Sequence, residues 1–299
     1  GAGAGVNAAE PLLAVDARID VEESQTSGRS PLLVASASMV ATSGWEYSLV
    51  VTPSTHETLA IFLLDQGADP ARPDSIGRTP LHAAVETGKA ALVQALLAHG
   101  ADPNARFIEA PFVFKGDFVS YGRYVGATPL WLAAAARVPN VDILRRLAAA
   151  GADAGAAADD GTTPLMAATG LGRATYTPRE PRGVRSPSAE AAVRFLVEAG
   201  ANVNAVNEAD FTALHGATFR GLNEVIEYLV ANDADIDARD FRGRTAYRMA
   251  EGAKQSFQFQ SWPETAALLK ALGADTRLGI PGTVQERLRD VPVGADLPR

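Results

Sequence analysis

Histidine is the side chain best suited to acid–base chemistry or metal binding, and this chain has four: His56, His82, His99 and His215. His82 and His215 stand at the same place in a repeated unit, three units apart. Packed helices lie about 8–10 Å apart, so three steps separate the two rings by roughly 25 Å or more. They cannot share a catalytic or metal site. His99 ends an apolar helical segment, where a positive charge complements the helix dipole. Only His56 lies in an irregular segment.

No other combination of residues has the spacing of a catalytic or metal site. The sequence contains no H-E-x-x-H, C-x-x-C, G-x-S-x-G or phosphate-binding glycine loop. It has no cysteine, which excludes disulfides and thiolate chemistry. Acidic stretches at 157–160 and 238–240 are typical of exposed turns. We therefore predict no catalytic activity, no metal site and no cofactor.

Composition narrows the class of protein further. Of the 299 residues, 47% are hydrophobic, which is enough for a continuous core. Only 21% are charged, which is too few for a disordered chain. The net charge of −8 argues against binding nucleic acid through overall charge. No apolar run reaches 18 residues, so we expect no membrane insertion.

Two short motifs alternate six times along the chain. The first, such as GRTPLH at 77, GATPLW at 126 or GTTPLM at 161, opens units at 28, 77, 126, 161, 210 and 243. The second, of the type GADP, begins at 67, 100, 151, 200, 233 and 273. In the unit 77–106, Thr79 can cap a helix and Pro80 suits its first position. Apolar residues at helical spacing then predict two short helices, which must stack on neighbouring units to bury both faces.

The stretch GRTPLHAAVETG, followed by an apolar helix and GADPNA, resembles the ankyrin repeat, as do GTTPLMAA, TALHGATFRGLNEVIEYLV and GANVNAVN. The resemblance covers residues 28–275. It implies an all-α repeat solenoid of about six stacked helix pairs with β-turn fingers, acting by binding other proteins. It also implies that His82 and His215 are structural and bond backbone across repeats. Asp210 and Asp233 replace the usual glycine and Tyr247-Arg248 replaces Leu-His, so we expect a degenerate cap at the last repeat.

Spacing locates several insertions. The openers lie 49, 49, 35, 49 and 33 residues apart, against an ankyrin period of about 33. The second motif places the extra residues between paired helices at 35–57, 170–190 and 251–262, and inside a finger at 107–125. Inserts in solenoids often map to a binding face, so these are the first places to look for function.

The finger insert, FIEAPFVFKGDFVSYGRYV, holds six of the chain's 20 aromatic residues. Its pattern fits a hairpin turning at Lys115-Gly116-Asp117. The aromatic side chains either pack on their own repeat or anchor a partner protein, and both interpretations stay open. The candidate partner-binding residues here are Phe107, Phe112, Phe114, Phe118, Tyr121 and Tyr124, with the neighbouring Trp131.

The inserts between helices hold a second set of candidates. Segment 170–190 carries a net charge of +2 and is either a solvated loop or an arginine contact for an acidic partner or anion. The tryptophans of the other inserts serve either packing or recognition. These candidates are Trp45, Trp262, Arg179, Arg182 and Arg185.

We predict a protein–protein interaction module, such as an adaptor or an accessory or regulatory subunit, that is a monomer by itself. It would bind its partner through fingers, inner helices and the finger insert. The alternative is a small-ligand or enzyme-like pocket built by the inserts between helices. A third hypothesis is a spacer within a longer array.

The two ends of the chain lack the regular repeat period. Residues 1–27 are interpreted as an N-terminal cap or the remnant of a preceding repeat, and 276–299 as a tail with a short helix at 284–290. The insert pattern is also similar to long ankyrin proteins of bacteria, some of them exported. By that analogy, a periplasmic or extracellular location is preferred over a cytoplasmic one.

Overall fold

The computed structural model describes residues 30–37, 40–41, 49–50, 55–108, 125–136, 138–171, 184–252, 254–255, 258–259 and 261–279. Within these ranges the chain forms twelve helices and two pairs of two-residue strands. Internal contacts divide it into two compact units. The first contains the described residues up to Ala133 and Asp142–Ala156, and the second contains Ala134–Val141 and those from Ala157 onward.

In the first unit, helices form pairs that stack. Helix α1 (Pro31–Ala37) packs on α2 (Thr55–Asp65), and α3 (Pro80–Glu86) packs on α4 (Ala90–Ala98). Helix α1 also contacts α3, and α2 contacts α4, so the pairs lie side by side in the same orientation. Helices α5 (Pro129–Ala135) and α6 (Val141–Ala149) follow, with most of their residues in this unit.

The second unit repeats the arrangement with three helix pairs. These are α7 (Pro164–Ala168) with α8 (Pro187–Glu198), α9 (Ala213–Arg220) with α10 (Asn223–Ala231), and α11 (Ala246–Gly252) with α12 (Pro263–Ala271). The inner helices α7, α9 and α11 contact in sequence order, as do the outer helices α8, α10 and α12. Buried leucines, valines and alanines from both rows fill the space between the pairs.

Both strand pairs lie inside predicted inserts. Strand β1 (Val40–Ala41) pairs antiparallel with β2 (Leu49–Val50) between α1 and α2. Strand β3 (Lys254–Gln255) pairs antiparallel with β4 (Gln258–Phe259) between α11 and α12. The periodicity of the repeats did not predict these short hairpins.

Thr-x-x-His in the opener forms a reciprocal helix cap. The His82 N–H donates to Thr79 Oγ1 at 3.4 Å, and the Thr79 N–H donates to His82 Nδ1 at 3.2 Å. Thr212 and His215 form the same pair of bonds at the start of α9. Each cap satisfies backbone donors that a helix leaves unpaired at its first turn.

The same two main-chain hydrogen bonds close the five described finger tips. In finger 74–78, Asp74 N–H donates to Arg78 O at 2.9 Å and Gly77 N–H donates to Asp74 O at 3.1 Å. In the finger with the aromatic insert, Phe107 N–H donates to Ala127 O at 3.2 Å and Gly126 N–H donates to Phe107 O at 2.9 Å. Residues 108–125 therefore stand where each of the other four tips has two residues. The other tips closed in this way are 158–162, 207–211 and 240–244.

A polar side chain organises most of the short tips. Oδ1 of Asp74 accepts from the N–H groups of Ile76 at 3.1 Å and Arg78 at 2.9 Å, and Asn207 and Asp240 act alike in their fingers. Phe107 occupies this position in the extended finger. Ala158 also lacks a side-chain acceptor at this position, and its finger still closes around a two-residue tip with the same main-chain bonds. The extension is therefore not needed to close the finger.

The last repeat keeps the contact between repeats with a different side chain. Arg248, at the histidine position, donates from Nε to Leu278 O at 3.0 Å and from Nη2 to Thr276 O at 2.7 Å. His215 makes the equivalent contact to Arg244 O at 3.3 Å. The contacts of the last repeat thus extend past the predicted boundary at 275. The predicted N-terminal segment 1–27 and the helix at 284–290 lie outside the described residues.

Candidate partner-binding surface

The base of the finger insert is a buried neck. Phe107 is 2% exposed, and its ring lies 4.6 Å from the buried ring of His82. The next residue, Ile108, is 68% exposed, while its N–H donates to Ile76 O at 2.9 Å. The extension therefore leaves a fixed point and is tied to the preceding finger. The insert's other candidates, Phe112, Phe114, Phe118, Tyr121 and Tyr124, lie outside the described residues.

Two of the predicted partner-binding residues belong to the interior, which corrects their assignment. Trp131 is 0% exposed, and its N–H donates to Thr128 Oγ1 at 3.2 Å. It stands where His82 and His215 stand in their openers, a position that faces the next repeat. Phe107 is buried for the reason given above, so neither side chain offers a surface to a partner. The signal for Trp131 was its place in the opener GATPLW.

His82 and His215 are both buried and cap their own helices, and His215 forms the bond to backbone across repeats that the resemblance implied. The Nε2–H of His215 donates to Arg244 O in the next repeat, while its Nδ1 accepts from Thr212. Nε2 of His82 faces the carbonyls of Ala105 and Ala127 outside hydrogen-bond geometry. Burial lowers the pKa of His82 from 6.5 to about 4, although those carbonyls oppose the shift, and burial also lowers the pKa of His215.

The remaining histidines have no catalytic setting in the part of the chain that the structure describes. His99 Nε2 lies 3.6 Å from Asp65 Oδ1 on an exposed surface. His56 lies in α2, and its side chain is outside the description. Among the described side chains, no group of three or more His, Asp or Glu could hold a metal ion. No described helix has the length and apolar character to cross a membrane.

Trp262 and Arg185, candidates from the inserts between helices, contact residues of α9 and α10 that flank the turn between these two helices of the second unit. The Trp262 indole N–H donates to Phe219 O at 3.2 Å. Arg185 forms two hydrogen bonds to Glu190, at 2.8 and 3.0 Å, and its Nε lies 3.5 Å from Glu224 Oε1. The bonds from Arg185 lower the pKa of the Glu190 carboxyl. The ends of two inserts therefore converge on one turn, while Trp45, Arg179 and Arg182 lie outside the described residues.

Phe241 is an exposed aromatic residue that the sequence analysis missed. It is 55% exposed at the tip of finger 240–244, and Val206 on the neighbouring finger is 54% exposed. The signal was available in the sequence, because the equivalent tip position holds Ser75, Asp159 or Glu208 in the other short fingers.

Two regions of the chain match models of one family. The model described as Ankyrin repeat matches residues 76–107, and the model described as Ankyrin repeats (many copies) matches residues 196–250. With the helix pairs, reciprocal caps and fingers, these matches show that the chain is an ankyrin repeat protein. The prediction of an all-α repeat solenoid is confirmed. Ankyrin repeats are generally protein–protein interaction modules and typically non-catalytic.

Curated relatives share segments of the array. The chain is 32% identical over 138 residues to Ankyrin repeat and SOCS box protein 16 of Homo sapiens, covering 46% of this chain and 27% of the relative. It is 59% identical over 44 residues to Zygote-specific protein 3 of Chlamydomonas reinhardtii, covering 15% and 12%. It is 47% identical over 57 residues to 2-5A-dependent ribonuclease of Mus musculus, covering 18% and 8%. The matches thus span between 8% and 27% of these relatives' lengths, and the bacterial character stays a prediction.

Proposed function

We propose that the chain is a non-catalytic module that binds another protein, as an adaptor or an accessory or regulatory subunit, and that the finger extension 108–125 is its main contact. One observation carries the proposal. The extension emerges from a finger whose base is closed by the same hydrogen bonds as the ordinary finger tips. It is therefore an addition to a finger that is complete without it.

The composition of the extension supports a binding role. It carries five aromatic residues after the buried Phe107 and no net charge. Aromatic side chains are enriched among the residues that dominate binding energy at interfaces. Phe107 on the His82 ring and Ile108 on Ile76 fix the base of the extension, and a fixed base lowers the entropy lost on binding.

Contacts of the described candidates favour this function over a pocket built by the inserts between helices. Trp262 and Arg185 use their polar atoms on Phe219, Glu190 and Glu224 within their own unit. The histidines of the openers cap helices in the interior. One relative is named as a ribonuclease, but the match covers only 8% of that protein's length. Its ribonuclease activity is therefore not carried over to this chain.

A tip replacement tests the proposal. In this variant residues 108–125 become Ser-Ile, the two residues at the tip of finger 74–78, and Phe107 is kept. Full chain and variant serve as bait for extracts of the organism that encodes the protein. We expect captured proteins to be lost or strongly reduced with the variant. Capture of the same proteins at undiminished yield would contradict the proposal.

A further inference from the structure

Phe241 is an exposed aromatic ring held in a fixed orientation. Its ring meets Phe211 edge to face at 6.2 Å and 85°, and Phe211 in turn meets the ring of the buried His215 at 5.7 Å. The Phe241 N–H donates to Ala209 O of the preceding finger at 3.1 Å. An exposed aromatic side chain that is already ordered loses little entropy on binding.

Arg242 places a positive charge over this ring. Its Cζ lies 5.1 Å from the ring centroid of Phe241, and its backbone N–H is held by Asp240 Oδ1 at 3.0 Å. Among the described residues, no carboxylate forms an ion pair with its guanidinium. The nearby arginines differ, because Arg244 pairs with Asp240, Arg277 with Asp275 and Arg248 with Glu251.

We propose that the tip formed by Phe241 and Arg242 binds a peptide segment of a partner protein in which an aspartate or glutamate stands beside an apolar side chain. The inference rests on the proposed function and names the kind of segment that one finger accepts. The guanidinium would bind the carboxylate through two parallel hydrogen bonds. The apolar side chain would cover the exposed part of the Phe241 ring, and aromatic and arginine residues are the usual anchors of such contacts.

Charge complementarity decides the kind of occupant. The chain has a net charge of −8, and most of its surface therefore favours basic partners. Glu208 and Asp210 are exposed on the preceding finger and would repel an acidic segment there, so we expect the acidic residue of the segment to lie at Arg242.

The test uses a phage-displayed library of random peptides selected on the full chain. We expect enrichment of peptides with an acidic residue next to a leucine, isoleucine or phenylalanine. An enriched peptide is then synthesised, and its dissociation constant is measured by calorimetry. Phe241→Ala and Arg242→Glu should each weaken binding at least about tenfold, and lysine in place of the peptide's acidic residue should restore binding to Arg242→Glu.

Two matched variants control for general effects. Phe62 is also 55% exposed but lies on α2, and Arg277 is exposed but paired with Asp275 at 2.9 Å. Phe62→Ala and Arg277→Gln should leave the dissociation constant within about twofold. Failure to enrich any peptide, enrichment of basic peptides, or binding by Phe241→Ala or Arg242→Glu that is as tight as binding by the full chain would each overturn the inference.

The two proposals fail separately. The tip replacement of 108–125 leaves Phe241 and Arg242 in place, so it should bind the selected peptide like the full chain. If the peptide experiment fails while the tip replacement loses its captured proteins, only the Phe241–Arg242 site is wrong. If capture is unchanged while the peptide binds as expected, the extension 108–125 is not the main contact.

Discussion

The last residue of each opener faces the neighbouring repeat, and the chain fills this position in several ways. His82 and His215 cap their own helices, Trp131 and Met166 are buried by the same backbone placement, and Arg248 reaches the carbonyls of the next turn. The position demands a side chain that fills space between repeats, and a charge there must find backbone acceptors. A buried neutral histidine has a consequence for stability at low pH.

We expect stability to fall as the pH drops from 6.5 toward 4. The folded-state pKa of His82 is about 4 against 6.5 for the exposed ring, so the unfolded chain binds more protons in that window. The stabilisation is complete above pH 6.5 and lost as the pH falls, by up to about 3 kcal/mol for this group. His215 adds in the same direction.

The measurement compares denaturant unfolding of the full chain and His82→Met at pH 7 and pH 4.5. Methionine occupies the same position in the opener at 161 and does not titrate. The variant should lose less stability between the two pH values than the full chain, whatever its stability at pH 7. An unchanged pH dependence would show that the His82 ring is not the titrating group.

Gly216→Ala should destabilise the second unit although alanine favours helices. A Cβ at this position would overlap Thr169 Oγ1 and lie 2.9 Å from Leu171 Cγ. The gain in helix propensity is about 1 kcal/mol, and overpacking typically costs about 1–3 kcal/mol. Thermal unfolding should therefore show a lower midpoint. Adding Thr169→Ala should recover part of the loss, and a variant more stable than the parent would contradict this packing.

At the scale of elements, the fingers and helix ends are built from a shared backbone plan with local exceptions. Gly200 ends its helix with a φ of 91°, and Asp233 takes the same left-handed conformation with a φ of 65°. Asp210 does so at a finger tip with a φ of 54°. Residues other than glycine adopt this region at a cost.

Exchanging the residues at two helix ends tests that cost. Asp233→Gly should raise the free energy of unfolding by about 0.5–1 kcal/mol, because glycine takes the left-handed conformation without steric strain. Gly200→Asp should lower it by a similar amount, since a Cβ there meets nothing within 4 Å and only the backbone is affected. Chemical denaturation of both variants checks the pair. Equal free energies of unfolding for the two variants and the parent would mean that aspartate adopts the left-handed conformation at no cost.

The repeat period made the helices predictable, but it gave no information on the structure inside the inserts. Thr79 and Pro80 begin α3 as the sequence indicated, because capping and proline geometry are local properties. The opener GATPLW implied an interior position for Trp131. It was predicted to bind a partner because aromatic residues are common interface anchors. The contact between Phe107 and His82 depends on residues 25 positions apart, and the short strand pairs have no repeat to reveal them. The isolated tip residues Phe241 and Arg242 deviate from the pattern, so the period alone gave them no role.

At the scale of the whole molecule, each unit stacks its own helix pairs and carries its own additions. The first unit bears the finger extension on a neck closed at Phe107, and the second bears the tip with Phe241 and Arg242. Additions on a repeat scaffold change the binding surface while the interfaces between repeats stay intact. Removing an addition should therefore weaken partner binding without lowering the stability of the array.

The tip replacement of 108–125 should keep the helical circular dichroism spectrum of the full chain and a melting temperature within a few degrees. The closing bonds of the neck join Phe107 to Gly126 and Ala127, and the replacement keeps all three residues. Global unfolding of this variant at room temperature would show that the extension is part of the scaffold.

The dissociation constant of the most enriched captured protein, measured by calorimetry, tests the account most directly. It is determined for the full chain and for the folded tip replacement under the same conditions. We expect the replacement to bind at least about 100-fold more weakly, equivalent to about 2.7 kcal/mol. Equal dissociation constants, within about twofold, would contradict the claim that the aromatic extension is the main contact with the partner.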